Sequence, residues 1–391
     1  MQELGLIQDG SLLIRNGVIE EVGPTRRIEN LAAVRGAVDI NATGRVVMPG
    51  FVDSHTHLVF PPPGVGLCDE GAAVRAVRTG TGQRLQARVQ AYLEAMARHG
   101  TTTVEVKTGC AADVRAETKL FRVLAALKNH PVEIVPTFFF RLPNRDDADE
   151  NAVAAWAEWV FREFLPKLRR RRFARLADLK WTAEPERQAL YGRYLEIARG
   201  LGFGCKVHAD HFDPAAAIAL AVECSAWSVD HLEHATAGDA ALLAGSRTMA
   251  TFLPNASFCT GGRHAPGRAF IDAGVAVALG TNFNRHHTPT LNMQSVVALA
   301  CMWLGMTPAE AISAATINSA HALGCADRVG SLELGKSADL VMLNVSDHRE
   351  VARHFGMNLV HMTMKRGQFI YKEGEVSTRP SRDLQPGLQA G

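Results

Sequence analysis

The stretch PGFVDSHTHLVF, residues 49–60, decides how the rest of the sequence is interpreted. Its first residues are apolar and strand-like, and His55 and His57 follow with one residue between them. On an extended chain, side chains two residues apart lie on the same face, so both imidazole rings can reach one metal ion. The pattern predicts a strand that ends at a metal site, and the alternative is a pair of hydrogen-bonded polar residues.

The residues beyond this stretch alternate between strand-like and helix-periodic segments. Over about 280 residues, such alternation predicts a parallel sheet covered by helices. A closed (β/α)8 TIM barrel is the leading prediction at this length. A doubly wound sheet is the alternative, but no glycine-rich dinucleotide motif follows the first strand. The strand-like segments are residues 47–52, 102–106, 133–138, 204–207, 227–229 and 275–279, and the helical segments are 83–98, 116–127, 184–200 and 292–304.

Both ends of the chain carry short strand patterns without helices between them. Asn16-Gly17 is a strong signal for a two-residue hairpin turn. The terminal strand-like segments are residues 12–15, 18–22, 339–343, 359–364 and 368–371. We therefore expect both termini to form one small β-sandwich domain beside the barrel. The predicted division is residues 1–47 with 336–380 for the β domain, 48–335 for a metal-dependent barrel and 381–391 for a tail.

The composition indicates a globular protein with a small-molecule partner. Lys and Arg total 42 and Asp and Glu total 40, so the net charge is +2, which predicts neither nucleic acid nor a membrane as partner. The basic run at residues 167–175 is interpreted as a solvated helix face. No apolar run approaches the ~18 residues of a membrane span, and the N-terminus lacks a secretory pattern. Seven cysteines without CxxC spacing favour a reducing, cytoplasmic location.

Polar residues follow other predicted strands, where the active sites of barrels lie. His208, His231 and Asn282 each come directly or shortly after such a strand. Together with the first two histidines they predict one site for a divalent metal. Imidazole suits zinc and iron, and a water bound there becomes acidic enough to attack a carbonyl. Taken singly, each histidine could instead be a core or helix-capping residue.

Three further residues are candidates for binding the substrate. Glu105 and Lys107 end the second predicted barrel strand and could face the pocket, or could form an ion pair that orders a loop. Arg141 follows the third predicted strand, and its guanidinium could bind a substrate carboxylate through two parallel hydrogen bonds.

Two motifs, PGFVDSHTHLVF and GSLELGKSADLVML at 330–343, resemble the amidohydrolase superfamily. Other stretches are similar to the imidazolonepropionase family, which hydrolyses 4-imidazolone-5-propanoate to N-formimino-L-glutamate in histidine degradation. They are TTTVEVKTGC at 101–110, KVHADHF at 206–212, VDHLEHAT at 229–236, FLPNASF at 252–258 and HFGMNLVHMTMKRG at 354–367. The resemblance covers nearly the whole chain. It implies a TIM barrel, one zinc or iron ion and a homodimer.

The resemblance also implies roles for single residues. His55, His57 and His208 would bind the metal, with position 282 as the fourth ligand, and His231 would contact the substrate or the attacking water. The family has aspartate at position 282, where this chain has Asn282. An asparagine can offer a neutral oxygen to the metal but cannot accept a proton from water.

A second departure lies three residues after His208, where the family has glutamate and this chain has His211. His211 is therefore predicted to be a replacement base or a fourth nitrogen ligand, and Asp210 and Asp230 are further candidates for the proton acceptor. We expect a metal-dependent hydrolase of a C–N bond in a cyclic amide, acting on imidazolonepropionate or with altered specificity. The alternative is a catalytically impaired homologue that acts as a binding or subunit-interaction protein.

Overall fold

The computed structural model describes residues 3–60, 70–109, 113–143, 149–209, 214–284 and 287–374. The strands are β1 (Gly10–Arg15), β2 (Val18–Pro24), β3 (Val46–Pro49), β4 (Phe51–Asp53), β5 (Thr101–Lys107), β6 (Glu133–Phe140), β7 (Leu176–Lys180), β8 (Gly204–His208), β9 (Ser228–Asp230), β10 (Met249–Phe252), β11 (Val277–Leu279), β12 (Leu340–Leu343), β13 (Val360–Lys365) and β14 (Gln368–Lys372).

The α-helices are α1 (Thr25–Ile28), α2 (Glu70–Thr79), α3 (Gly82–Arg98), α4 (Val114–Ala126), α5 (Glu150–Trp159), α6 (Leu165–Arg171), α7 (Gln188–Gly200), α8 (Pro214–Glu223), α9 (Ala240–Leu243), α10 (Pro254–Thr260), α11 (Gly267–Asp272), α12 (Met293–Trp303), α13 (Pro308–Ser313) and α14 (Ser319–Ala322). Short π-helical segments lie at Val160–Phe164 and Ala314–Asn318. Within the described ranges, no helix combines the length and the apolar character that a bilayer crossing requires.

Strands β4 to β11 form one parallel sheet in which each strand pairs with the next along the chain. The sheet closes just beyond the ends of β4 and β11. There His57 N donates to Phe283 O at 2.8 Å, and Asn282 N donates to His55 O at 3.0 Å. This closure confirms the predicted (β/α)8 barrel, and it brings the residues that follow the first and last barrel strands side by side.

Helix α3 shows how the outer layer covers the barrel. Its buried side chains recur every three or four residues, the spacing of one face of a helix. They form one apolar cluster with side chains of β5 and α4. Each large side chain buried in this way stabilises the fold by about 1.5–3 kcal/mol. The buried residues of α3 are Leu85, Val89, Leu93, Met96 and Ala97.

Strands from both ends of the chain form the small β part, as the sequence predicts. Strands β3, β12, β13 and β14 make a four-stranded antiparallel sheet. The hairpin β1–β2 joins the C-terminal segment, because Ile19 N donates to Lys336 O and Ala338 N donates to Gly17 O, each at 2.9 Å. The exact division at residues 47/48 and 335/336 stays a prediction, and the predicted tail lies outside the described residues.

The predicted strand at residues 47–52 is in fact two strands of different sheets. Strand β3 belongs to the small sheet and β4 to the barrel, and Gly50 separates them. A Cβ atom at Gly50 would lie 2.2 Å from Thr102 Cγ2, so only glycine fits where the chain passes this close to β5. Two barrel strands, β7 and β10, were not predicted from the sequence.

Candidate metal centre

Four histidines meet at the C-terminal end of the barrel strands. His55 and His57 follow β4, His208 is the last residue of β8, and His231 follows β9. The ring centroid of His55 lies 5.2 Å from that of His57, 5.2 Å from that of His208 and 5.1 Å from that of His231. The structure therefore brings these four histidines together at the end of the barrel where active sites lie, and their roles stay predictions.

Several ring nitrogens in this cluster are buried without a protein partner. His55 Nε2, His57 Nδ1 and His208 Nδ1 make no hydrogen bond within the described part of the chain. A buried polar atom that is left unpaired costs about 1–3 kcal/mol unless a ligand or ion satisfies it. Unpaired nitrogens in adjoining rings suit a divalent metal, since neutral imidazole nitrogen is a common ligand of zinc and iron. Among the described residues, nitrogens of His55, His208 and His231 lie within 4.8 Å of one another, and the ring of His57 lies beside them, with its centroid 6.2 Å from that of His208.

The surroundings keep these imidazoles neutral, the form that binds metal. Burial, followed by the positive charge of Lys107, holds the pKa values of His55 and His57 well below the usual range. Burial also lowers the pKa of His208, and the neighbouring His231 adds to the effect. All three side chains are therefore ready to bind a cation at neutral pH.

His55 is held in place by Asp230, the last residue of β9. Asp230 Oδ2 lies 2.7 Å from His55 Nδ1, and both side chains are fully buried. A carboxylate at Nδ1 fixes the ring and leaves Nε2 for the metal, as the second contact of a metal-bound histidine usually does. From the sequence, Asp230 is predicted only as a possible proton acceptor, and its contact with His55 is not predicted.

A layer of paired charges lies directly beneath the histidines. Lys206 Nζ contacts Glu105 Oε2 at 2.8 Å and Asp230 Oδ2 at 3.0 Å. Lys107 Nζ contacts Asp178 and lies 3.1 Å from Glu105 Oε2 and 3.4 Å from Asp230 Oδ2. The carboxylates of Glu105 and Asp230 near His55 are thus already neutralised by an ammonium group, so they do not form a second metal site.

This layer contains two of the predicted substrate-binding residues. Glu105 and Lys107 have no exposed surface, and both side chains point into the barrel. Besides its lysine contacts, Glu105 Oε1 accepts a hydrogen bond from Thr137 Oγ1 at 2.7 Å. The structure therefore places Glu105 and Lys107 under the metal centre, and a direct role for them in substrate binding stays a prediction.

His231 and Asn282 have unusual backbone conformations. Their φ angles are 64° and 54°, in the left-handed region that non-glycine residues seldom adopt. His231 Nδ1 lies 3.1 Å from Glu233 Oε1. Asn282 is 6% exposed, and its Nδ2 donates weakly to Thr288 Oγ1 at 3.5 Å. The turns after β9 and β11 thus aim two different side chains at the same end of the barrel.

The rim of the site combines cations with aromatic rings. The positive charges of Lys180 and Arg141 both help to lower the pKa of His57, after burial and the charges of Lys107 and His231. The ring of Phe139 lies 5.7 Å from that of His57 and 4.9 Å from that of His208. Arg141 was predicted from the sequence. Lys180 was missed because the strand that it ends, β7, was not identified.

One predicted catalytic residue, His211, lies outside the described residues, as does Asp210. Their roles stay predictions. The other residues predicted to be catalytic or to bind the metal lie at the C-terminal end of the barrel. They are His55, His57, His208, His231 and Asn282.

Comparisons with known proteins agree with this architecture. The amidohydrolase family model matches residues 187–370. The adenosine deaminase from Xanthomonas campestris with bound zinc aligns with a TM-score of 0.72 at 19% identity, over 95% of this chain and 90% of that one. The 5-methylcytosine deaminase from Klebsiella pneumoniae aligns with a TM-score of 0.74 at 16% identity, over 95% and 96%. The fold and the histidine cluster thus define a barrel of the amidohydrolase class.

The family within this class follows from sequence identity. Imidazolonepropionase from Symbiobacterium thermophilum is 38% identical over 404 aligned positions, which cover 97% of this chain and 94% of that protein. The chain belongs to the imidazolonepropionase family of amidohydrolases.

Proposed function

We propose that the protein is a metal-dependent hydrolase that opens a small cyclic amide at a C–N bond, with 4-imidazolone-5-propanoate or a close analogue as substrate. The observation that carries the proposal is the set of buried nitrogens on His55, His57 and His208 that have no hydrogen-bond partner among the described residues. They lie at the active-site end of the barrel, and a relative that is 38% identical to this chain is named imidazolonepropionase. The cofactor is one zinc or iron ion.

The three histidines would hold this ion, and two side chains, Asn282 and His231, compete for a fourth place beside it. A bound divalent ion supplies Lewis acidity and lowers the pKa of a water molecule towards neutrality. The protein's own contribution is to keep the imidazoles neutral and oriented. Burial lowers the pKa values of His55, His57 and His208, and Asp230 holds Nδ1 of His55.

The charges around the site favour an anionic substrate. Arg141 directly follows β6, Lys180 ends the neighbouring β7, and the charges of both act on His57. A guanidinium and an ammonium group at the rim can bind a propanoate carboxylate, while the ring of Phe139 offers an apolar wall to a flat heterocycle. This arrangement would place the ring of the substrate over the histidines.

We propose His211 as the proton acceptor, because Asn282 has no carboxylate to accept a proton.

The protein would act in the cytoplasm as a homodimer, as the resemblance to the family implies. The alternative is a catalytically impaired homologue that binds ligands or subunits. Measurement of substrate turnover distinguishes this hypothesis from the hydrolase hypothesis.

The test combines metal analysis with a substrate assay. Wild-type protein, His55→Ala and the control His321→Ala, which changes an exposed histidine of α14, are analysed by plasma mass spectrometry. About one zinc or iron per chain in the wild type and the control, and its loss from His55→Ala, supports the metal site. Hydrolysis of 4-imidazolone-5-propanoate by the loaded wild type supports the activity. Bound metal without turnover of any cyclic amide would favour the non-catalytic alternative.

A further inference from the structure

The segment Asp230-His231-Leu232-Glu233, which follows β9, is built as part of the metal centre rather than as a neighbour of it. One ring nitrogen each from His55, His208 and His231 lies within 4.8 Å of the others. The ring centroid of His231 lies 5.1 Å from that of His55 and 4.2 Å from that of His208. Two imidazoles that share one zinc through bonds of about 2.0–2.1 Å have ring centroids about 5 Å apart. The distance to His55 matches this spacing and the ring of His208 is closer, so His231 lies within reach of an ion that His55 and His208 bind.

The hydrogen bonding of His231 repeats that of His55. Each ring has a carboxylate oxygen at Nδ1, from Asp230 for His55 at 2.7 Å and from Glu233 for His231 at 3.1 Å. A metal-bound histidine nearly always donates its other ring N–H to such a partner. The two carboxylates lie on either side of His231 in the chain. One short segment therefore supplies the imidazole of His231 and the carboxylates that contact Nδ1 of His55 and of His231.

The backbone of His231 is held in a conformation that a histidine seldom adopts. Its φ of 64° lies in the left-handed region, and such outliers persist only where the surrounding structure enforces them, typically at functional sites. The side chain that results is 5% exposed and faces the cluster. The turn therefore keeps the imidazole inside the site.

The side chain at the competing position is a weaker candidate. Asn282 offers zinc or iron a neutral amide oxygen, whereas both metals bind imidazole well. Its Nδ2 is directed towards Thr288 Oγ1, and its backbone N–H is used in closing the barrel onto His55 O. An asparagine also tolerates the left-handed conformation of this turn, so its presence is explained without a metal.

We propose that His231 is the fourth protein ligand of the metal, in place of Asn282, so that the ion is held by four histidines. The inference rests on the proposed metal-dependent function and specifies its site. With neutral ligands only, the ion keeps its double positive charge. The layer beneath can balance part of that charge, because three carboxylates there face two ammonium groups.

The experiment compares Co²⁺ binding by the metal-free full chain in four proteins: wild type, His231→Ala, Asn282→Ala and the control His234→Ala. The control removes a partly exposed histidine three residues away. Affinity is measured by competition with a chelator. His231→Ala is expected to weaken binding at least tenfold and to change the visible absorption of the bound ion. Asn282→Ala and His234→Ala are expected to stay within about twofold of the wild type.

X-ray absorption of the zinc-loaded wild type gives a readout that does not depend on the folding of any variant. Four imidazoles around the ion would support the inference, and three imidazoles with an oxygen ligand would overturn it. Loss of affinity in Asn282→Ala, with none in His231→Ala, would also overturn it while leaving the metal-dependent function in place. A wild-type chain that binds neither cobalt nor zinc would overturn both.

Discussion

The two ends of the barrel contain buried or half-buried polar groups that are satisfied in opposite ways. At the C-terminal end, nitrogens of His55, His57 and His208 have no protein partner among the described residues. At the N-terminal end, Glu133 accepts hydrogen bonds from Arg328 at 2.8 Å and from Lys365 at 3.1 Å. Polar groups at one end thus need an ion from outside, while those at the other end stabilise the fold by themselves. The comparison predicts that substitutions at one end change binding and those at the other change stability.

The largest difference is expected for His55→Ala at the C-terminal end. Zinc affinity should fall by at least about a thousandfold, which is about 4 kcal/mol, because a ligand is lost. The free energy of unfolding of the metal-free chain should change less, by about 1–3 kcal/mol, because the hydrogen bond between Nδ1 and Asp230 is lost, whereas Nε2 has no partner among the described residues. Chelator competition and urea unfolding of the metal-free chain measure the two quantities. If the variant binds zinc with the affinity of the wild type, the assignment of the metal site to the C-terminal end of the barrel is wrong.

The charged layer between the two ends should behave as structure, and Lys206→Met tests this. Lys206 Nζ contacts Glu105, Asp230 and the carbonyl oxygen of Ser54, and the side chain is fully buried. Removing one partner of a buried ionic network leaves charges without compensation and typically costs about 3–5 kcal/mol of unfolding free energy.

Urea unfolding of the metal-free chain measures this cost against Lys128→Met, which changes an exposed lysine. A cost in Lys206→Met no greater than in this control would show that the layer contributes little to stability.

The N-terminal end should show a pH signature of its own, carried by a carboxylate. Burial alone would raise the pKa of Glu133, but Arg328 and Lys365 lower it to about 2. A depressed carboxyl pKa stabilises the fold above the unfolded value, about 4.5, and this contribution is lost as the pH falls towards 2. Glu133→Gln should therefore cost roughly 3 kcal/mol at pH 7 and progressively less below pH 4.5.

Urea unfolding of wild type and Glu133→Gln between pH 7 and pH 3.5 gives the difference directly. A difference that stays constant over this range would mean that Glu133 is not held as a carboxylate by Arg328 and Lys365.

Asp230 belongs both to the metal centre and to the charged layer, so it separates the two kinds of effect. Asp230→Asn should weaken metal binding by about 10–100-fold, because a carboxylate behind a ligating histidine raises the basicity of the ring. Asp178→Asn is the matched control. Asp178 is equally buried and contacts Lys107, but no contact with a histidine is among those described. Equal metal affinities in the two variants would remove the proposed role of Asp230 behind His55.

The sequence predicts the barrel and its histidines well because both follow local rules. Strands such as β5 and β6 are rich in β-branched or aromatic residues, and the histidines lie at the ends of other barrel strands, β4, β8 and β9. Strand β7 was missed because its short sequence, LADLK, contains the charged Asp178, whose buried carboxylate contacts Lys107, 71 residues away in the chain. Strand β10, MATF, is a short run whose periodicity cannot distinguish a strand from a helical segment.

The parts of the site that were not predicted depend on contacts between distant residues. The pairing of His55 with Asp230 joins positions 175 residues apart, and no local pattern indicates it. The contact between Lys206 and Glu105 spans 101 residues in the same way. Sequence spacing therefore indicates which residues reach the end of the barrel, while their partners depend on how the strands are arranged around it.

The smallest expected effect concerns the cations at the rim, which adjoin the histidines but bind no metal. Arg141→Gln and Lys180→Gln should each raise KM for an anionic cyclic amide by about tenfold, about 1.4 kcal/mol, with little change in kcat. A carboxylate held by these groups is bound equally in the ground state and the transition state. A neutral substrate, such as the amide of the same propanoate, serves as the control. If either variant lowers kcat for both substrates instead, that residue acts on the reacting ring, and the metal centre extends to the rim.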